Sequence, residues 1–374
     1  VITGGPGTGK TTLVRVLVRA ALERGAHYSL ASPTGRAAKR LNEATGAEAK
    51  TLHRLLEYNP AEGRFLRDAS NPLEGDGLVV DEASMVDVHL ALALLIAIPQ
   101  DRPFSIVFVG DAQQLPSVGP GTFLADIISS GLVPVIALQT IHRQAHGSGI
   151  LIAAADILAG AVPQSGERSG TDDLFMVART DADSARSTLI EIVVNRLPGL
   201  GFDVKRDVVV LAPTRRGPLG VNLLNEALQE KINPDGAPIR VTKGRLRLND
   251  RVMCTKNRYD LEVFNGEMGW VVRDTAGHLE VDFDGRLVLW PLAELQGLDL
   301  AYAVTIHKSQ GSEYPAVVLA LHKSHGVMLQ RELFYTAITR ASRFAVVIGD
   351  PHSWSQASRR SRMSRRYTAL AERI

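Results

Sequence analysis

Short, continuous apolar runs recur along the chain, each followed by a stretch with helical spacing. They are Tyr28–Ser32, Gly77–Val80, Phe104–Val109 and Val133–Leu138 in the first half, then Val208–Leu211, Ala316–Leu319 and Phe344–Ile348 in the second. Strands without polar alternation have both faces covered, and strands alternating with helices build parallel sheets, so the pattern predicts an α/β fold. Gly160–Asp173 breaks the pattern with Gly160, Pro163, Ser165, Gly166, Ser169 and Gly170 and few apolar residues, which predicts a surface crossing between two halves. From Asp250 to Trp290 the texture changes to closely spaced short strands with the turn signals Asn265-Gly266 and Asp284-Gly285. That predicts a small antiparallel barrel inserted into the second half. Neither a fixed-period repeat nor a low-complexity tract interrupts the chain.

At 374 residues with 45% hydrophobic positions, the chain exceeds one ordinary domain, and two or three compact cores are expected. The lone Cys254 rules out an internal disulfide and a thiolate zinc set, and reads as a small buried hydrophobe in a reducing compartment. The most apolar stretch, Val86–Pro99, carries Asp87 and His89 and is too short to span a bilayer, and no signal-peptide pattern opens the chain. A cytoplasmic protein without a membrane partner is the expectation. A net charge of +2 and a pI near 8.7 decide nothing about nucleic acid, because a local basic groove is compatible with almost any overall balance. Val1-Ile2-Thr3 runs without an initiator Met into a glycine-rich loop, which leads us to expect a fragment, with any partner-binding modules upstream of it.

The chemistry begins at that loop. Gly4-Gly5-Pro6-Gly7-Thr8-Gly9-Lys10-Thr11-Thr12 matches G-x-x-x-x-G-K-S/T between a strand end and the helical run Leu13–Leu22. Gly5, Pro6, Gly7, Thr8 and Gly9 bring backbone N–H groups around a phosphate at a helix N-terminus, Lys10 neutralises β/γ oxygens, and Thr11, followed by Thr12, can ligate Mg²⁺. ATP and Mg²⁺ are therefore the expected ligands. Leu78-Val79-Val80-Asp81-Glu82 supplies the carboxylates such a loop needs, Asp81 on the metal side, partly through water, and Glu82 as general base. In isolation two adjacent acids at a strand end read equally as a helix cap and first-turn charge. Val109-Gly110-Asp111-Ala112-Gln113-Gln114 is a further strand exit, where Gln114 can sense a γ-phosphate as an uncharged donor.

The glycine-rich loop is followed in order by Ser32-Pro33-Thr34-Gly35-Arg36-Ala37-Ala38-Lys39-Arg40-Leu41, Thr51-Leu52-His53-Arg54-Leu55-Leu56 and Val80-Asp81-Glu82-Ala83-Ser84-Met85. The second half carries Ala212-Pro213-Thr214-Arg215-Arg216-Gly217, Ala303-Val304-Thr305-Ile306-His307-Lys308-Ser309-Gln310-Gly311-Ser312-Glu313 and Leu333-Phe334-Tyr335-Thr336-Ala337-Ile338-Thr339-Arg340-Ala341. This series resembles the successive motifs of RecD-type superfamily 1 (subgroup B) DNA helicases over nearly the whole chain. The resemblance implies two RecA-like P-loop NTPase domains with parallel sheets, ATP in the cleft between them, an inserted SH3-like β-barrel, and single-stranded DNA across both domains with 5′ to 3′ translocation. It implies domain bounds of 1–163 for the first domain, with a short hairpin insertion at about 58–76, and 164–205 for a linker. It further implies 206–240 with 299–374 for the second domain and 241–298 for the barrel. Arg340 falls at the family's arginine-finger position, Glu313 near the nucleotide, and Arg143 at a further γ-phosphate position, although His142 stands where an aromatic usually precedes that arginine.

By the same resemblance Thr34, Arg36 and Lys39, beside Arg40, hold strand phosphates at a helix start, and His53, Thr305 and His307 contact DNA from equivalent motifs in the two halves. Single-stranded DNA and duplex junctions are the expected partners, bound mainly through the backbone with high salt sensitivity. The segment 58–76 reads equally as a duplex-splitting pin or an ordinary loop. Arg247, Arg251, Lys256, Asn257 and Arg258 of the insert read as DNA-facing or as a solvated rim. The run Arg359, Arg360, Arg362, Arg365 and Arg366 is read as a solvated helix face in preference to a binding patch. A small-molecule phosphotransferase could share the P-loop but would not need the second-half motifs, and a silent scaffold would not need Lys10, Asp81, Glu82 and Arg340 together.

Overall fold

A computed structural model describes residues 1–140, 148–165, 171–239, 245–361 and 370. The chain divides into two compact units, 1–145 with 361–374, and 146–360. Among the described residues no helix is long and apolar enough to cross a membrane.

The first unit is built on a wholly parallel sheet. Its strands lie in the order Ala49–Thr51, Tyr28–Ser32, Gly77–Val80, Ser105–Gly110, Ile2–Gly4, Ile136–Leu138. Leu78, Val79 and Val80 are fully buried, as expected of a central strand covered on both faces. Polar chain exits at the strand ends cap the next helix: the Thr34 hydroxyl accepts from Ala37 N at 3.3 Å at the start of Gly35–Thr45, and Asp87 accepts from Leu90 N at 2.8 Å before Val88–Ile96. Within 58–76 only Tyr58–Asn59 and Arg64–Phe65 pair as a hairpin, with Tyr58 opposite Phe65. The remainder folds back as a turn, tied by Arg67 to Glu57 at 2.8 Å and Glu74 at 3.1 Å.

The second unit holds a parallel sheet in the order Ala303–Thr305, Val208–Ala212, Tyr314–Leu321, Ala341–Gly349, Leu174–Ala178. Leu174–Ala178 and the helix Ala182–Glu191 lie within 164–205, where a linker was expected. Instead Leu174, Ala185, Leu189, Val193 and Leu197 are buried in the unit's core. The helix Gly149–Leu158, grouped with the first half from sequence, belongs to this unit and packs on Arg331–Ile338 and Pro351–Arg359. An antiparallel sheet, in the order Arg286–Pro291, His278–Phe283, Met268–Thr275, Arg251–Cys254, Leu298–Leu300, shares that core. Asp284 and Gly285, both at positive φ (53° and 87°), close a two-residue hairpin between Phe283 and Arg286, as their sequence signals. Asn265-Gly266 does not: Gly266 has φ 94°, but the pair sits inside a long connection between Cys254 and Met268.

The fully buried Asp250 pins the insert to the helix Val221–Ile232. It accepts from Gln229 at 2.5 Å, Asn233 at 2.7 Å, Tyr302 at 3.0 Å and the Arg247 N–H at 2.6 Å. Asn225 on the same helix donates to the carbonyls of Leu300 (3.0 Å) and Ala303 (2.9 Å) and accepts from Ala303 N–H at 2.7 Å.

Candidate nucleotide site and nucleic-acid interface

In the first unit the loop after Ile2–Gly4 turns on Gly7 (φ 70°) and Gly9 (φ 84°), left-handed positions that favour glycine, and Gly9 caps the helix Lys10–Glu23. A Cβ on Gly4 would stand 2.7 Å from Thr8 Oγ1 and 2.8 Å from the Leu138 carbonyl. The Lys10 ammonium donates to the carbonyls of Gly4 and Gly5, both at 2.7 Å, so it is folded back over its own loop. Thr11 and Thr12 are exposed on the first helical turn. Orphan N–H groups of that turn and the helix dipole make this an anion site.

Asp81 leaves the end of Gly77–Val80, its N–H donating to Ala31 O at 2.9 Å and its carboxylate accepting from Glu82 N at 2.9 Å. Burial, and then the neighbouring Glu82, push its carboxyl up to about 6, against the pull of Lys10 and Arg40. Glu82 holds φ 52°, ψ 40°, a left-handed conformation uncommon for a glutamate. A cation beside Asp81 would relieve the penalty of its burial, so this carboxylate fits a bound divalent ion; among the described residues the buried Ser32 and Ser84 hydroxyls have no hydrogen-bond partner. Gln114, buried, donates to Asp111 at 3.3 Å. Asp111, to which the sequence motif gave no role, organises the turn, its carboxylate also accepting from Gln113 N at 3.0 Å.

The residues expected on DNA occupy matching positions. Thr51 caps Leu52–Leu55 with φ −69°, ψ 150°, and Thr305 caps Ile306–Ser309 with φ −71°, ψ 149°. Each threonine ends a parallel strand and presents a histidine two residues on, and Thr34 likewise caps its helix. Arg36, Lys39 and Arg40 follow in that helix, and burial lowers the Arg40 pKa. His53 packs against Tyr58 and Phe65, ring centroids 5.7 and 5.6 Å away, and burial lowers its pKa against the opposing Asp87. It therefore faces its surroundings as a neutral aromatic. In the sequence, the only signal of this contact between His53 and the hairpin is the presence of the aromatics themselves.

In the second unit Arg340 is buried, donating to the carbonyls of Thr336 at 3.2 Å and Ser312 at 3.0 Å, while its own carbonyl accepts from Tyr314 N, next to Glu313, at 2.8 Å. The fold thus brings Glu313 and Arg340 to the starts of two paired strands, Tyr314–Leu321 and Ala341–Gly349. Arg143 and His142, and Arg362, Arg365 and Arg366 of the basic tail, lie outside the described residues. Of the insert's basic residues, Arg251 is buried against Trp270 and Tyr314, and Arg258 covers the Trp290 ring at 5.1 Å, so both serve packing.

Comparison with known proteins matches residues 1–120 to an AAA domain, 224–283 to the SH3 domain of ATP-dependent RecD-like DNA helicases, and 300–348 to a UvrD-like helicase C-terminal domain. The fold resembles the Pif1 helicase of Candida albicans (TM-score 0.59, 20% identity, 97% of this chain and 93% of that one). It also resembles a Bacteroides Pif1 helicase solved with ADP-AlF3 and ssDNA (TM-score 0.57, 19% identity, 92% and 87%). The ATP-dependent RecD2 DNA helicase of Deinococcus radiodurans is 40% identical over the whole chain, which spans 50% of that relative's length. The RecBCD enzyme subunit RecD of Mycolicibacterium smegmatis is 34% identical over 93% of this chain and 68% of its own length. With a relative matched at that identity over two thirds of its length, and the sheets, insert and loop in place, the chain belongs to the RecD-type helicase family.

Proposed function

We propose that the chain is the motor of a cytoplasmic ATP-dependent DNA helicase that moves 5′ to 3′ on single-stranded DNA and at duplex junctions, in repair or recombination. The observation that carries the reading is the pairing of two chemistries at sheet ends. In the first unit Lys10 of the phosphate loop acts electrostatically on Asp81, next to Glu82, and threonine helix caps follow strands in both units at Thr34, Thr51 and Thr305. The first RecA-like domain is assigned to the first unit. The second is assigned to the parallel sheet of the second unit, with the antiparallel sheet as its SH3-like insert.

In this reading Gly5, Pro6, Gly7, Thr8 and Gly9 wrap the β-phosphate with backbone N–H groups, and Lys10 leaves its loop carbonyls for the β/γ oxygens. Thr11 and Asp81 would hold Mg²⁺, which when bound would supply positive charge against the charge that develops on the phosphates. Glu82 orients and deprotonates the attacking water, Gln114 senses the γ-phosphate, and Arg340 and Arg143 supply charge to it, with Glu313 near the nucleotide. These roles rest on positioning and charge stabilisation, without a covalent intermediate. Thr34, Arg36, Lys39, His53, Thr305 and His307 contact the strand. Hydroxyls and a neutral imidazole among them give hydrogen bonds to phosphate and sugar, and the cations give the salt dependence. The test is the steady-state ATPase rate with and without single-stranded DNA at low and moderate salt. Stimulation that fades with salt supports the motor; hydrolysis indifferent to DNA refutes it and points to a phosphotransferase.

A further inference from the structure

The strand Arg286–Pro291 lies at the edge of the insert's antiparallel sheet, and among the described residues only His278–Phe283 pairs with it. Val288 and Trp290 are buried with Leu279, Val281 and Phe283, so Leu287 and Leu289 stand on the opposite face, where they are 64% and 54% exposed. The tight turn at Asp284-Gly285 makes Phe283 and Arg286 a hydrogen-bonded pair, and alternation then gives the same role to Val281 with Val288 and to Leu279 with Trp290. The N–H and C=O groups of Leu287 and Leu289 therefore point away from the sheet, along its open edge. Charges or a proline within an edge strand block further pairing. Here Arg286 is drawn back onto the carbonyls of Leu261 and Glu262, both at 2.8 Å, and Pro291 closes only the far end. The stretch between them is uncharged and free of proline.

We propose that this edge docks an extended segment of a partner protein, which joins the sheet as a further strand and carries Lys or Arg at alternate positions. The main-chain groups of Leu287 and Leu289 supply the hydrogen bonds of such an addition. The charge of the partner follows from the adjacent strand, where Asp282 lies directly across from Leu287 and Glu280 across from Leu289 on the same face. Among the described residues Asp282 accepts from the Gly285 N–H at 2.7 Å and forms no ion pair, and Glu280 meets Arg273 only at 3.8 Å. A cationic side chain of the added strand lays its methylenes over a leucine and turns its charge to these carboxylates. A second copy of this chain fits less well. Its own Arg286 is tied back, and so short a strand pair buries far less than the roughly 1,200 Å² of a stable interface.

The test is binding of a fluorescein-labelled synthetic peptide of alternating Lys and Thr to the full chain by anisotropy, with amide hydrogen exchange resolved to single residues. A peptide of alternating Glu and Thr is the control. The Lys peptide should bind and slow exchange at Leu287 and Leu289. Leu289→Pro removes an outward N–H but no bond of the sheet, and should weaken binding at least about tenfold. Asp282→Asn should weaken it about two- to fivefold and narrow the preference over the Glu peptide. Matching urea transitions show that the fold is intact. Should Leu289→Pro unfold, Leu287→Lys with Leu289→Lys blocks the edge by charge in its place. Absence of binding, binding that leaves both amides unprotected, or binding that survives the edge variants overturns the site, and equal binding of the Glu peptide overturns the partner's charge. A dimer in sedimentation equilibrium that the edge variant dissolves assigns the edge to a second copy instead. Protection of the same amides by oligothymidylate and not by peptide refutes a protein partner.

Discussion

Asn225 offers a sharp test of how the second unit holds the sheet edge that ends at Thr305. Its side chain is buried and makes three hydrogen bonds, two donated to the carbonyls of Leu300 and Ala303 and one accepted from the Ala303 N–H. Asn225→Leu nearly preserves volume but strips the acceptor from that N–H and the donors from two carbonyls. A buried group left unpaired costs about 1–3 kcal/mol, while carbonyls retain a second lone pair and some freedom to relax, so a loss of about 2–4 kcal/mol is expected. Urea unfolding followed by tryptophan fluorescence reads this through Trp270 and Trp290, both in the insert. The midpoint should fall with the slope unchanged. Binding of single-stranded DNA should weaken as well, because Ala303 opens the strand that ends at Thr305. Asn225→Asp is harsher at neutral pH, since it sets a carboxylate against two carbonyl oxygens; protonation restores one donor, so its deficit should shrink as pH falls. A stability for Asn225→Leu within about 0.5 kcal/mol of wild type would refute the argument, because substitutions that leave no buried group unpaired sit in that range.

Three further outcomes follow from the geometry. Lys10→Ala should abolish ATP hydrolysis in a phosphate-release assay while leaving DNA binding in low salt largely intact; wild-type turnover would remove the phosphate loop from the mechanism. Arg340→Lys should retain binding of a fluorescent nucleotide yet lose at least about a hundredfold in turnover, since an ammonium cannot hold the Thr336 and Ser312 carbonyls and also reach a phosphate. His325, buried on the Leu219 carbonyl, has its pKa lowered to about 4 by burial, with His322 adding to the shift. Its folded pKa lies below the unfolded value, so the stability it contributes is complete above about pH 6.5 and drains away as pH falls toward 4. On the order of 2–3 kcal/mol is at stake. Thermal unfolding of wild type between pH 7 and pH 4.5 should show this loss, and His325→Gln should flatten it.

The parallel sheets were legible because central strands such as Gly77–Val80 and Val208–Ala212 are uninterrupted apolar runs. Leu174–Ala178 escaped notice because the turn-rich residues before it and the charged stretch after it hide an edge strand. The helix Gly149–Leu158 was assigned to the wrong half because nothing local distinguishes which sheet an apolar helix will cover; its partners lie near residues 331 and 358. The Asp250 network was equally invisible, since Gln229 and Tyr302 meet it only after folding.

The left-handed backbone at Glu82 has a consequence for anyone trying to improve this protein. An L-residue held there forgoes about 1–2 kcal/mol, which glycine or asparagine would largely recover. A selection for thermal robustness alone would therefore enrich Glu82→Asn or Glu82→Gly, and each variant would arrive better folded and, on the proposed role of Glu82 as general base, unable to activate water. Screens that score melting temperature without turnover would report such dead ends as successes, and position 82 should be held fixed before any such library is made.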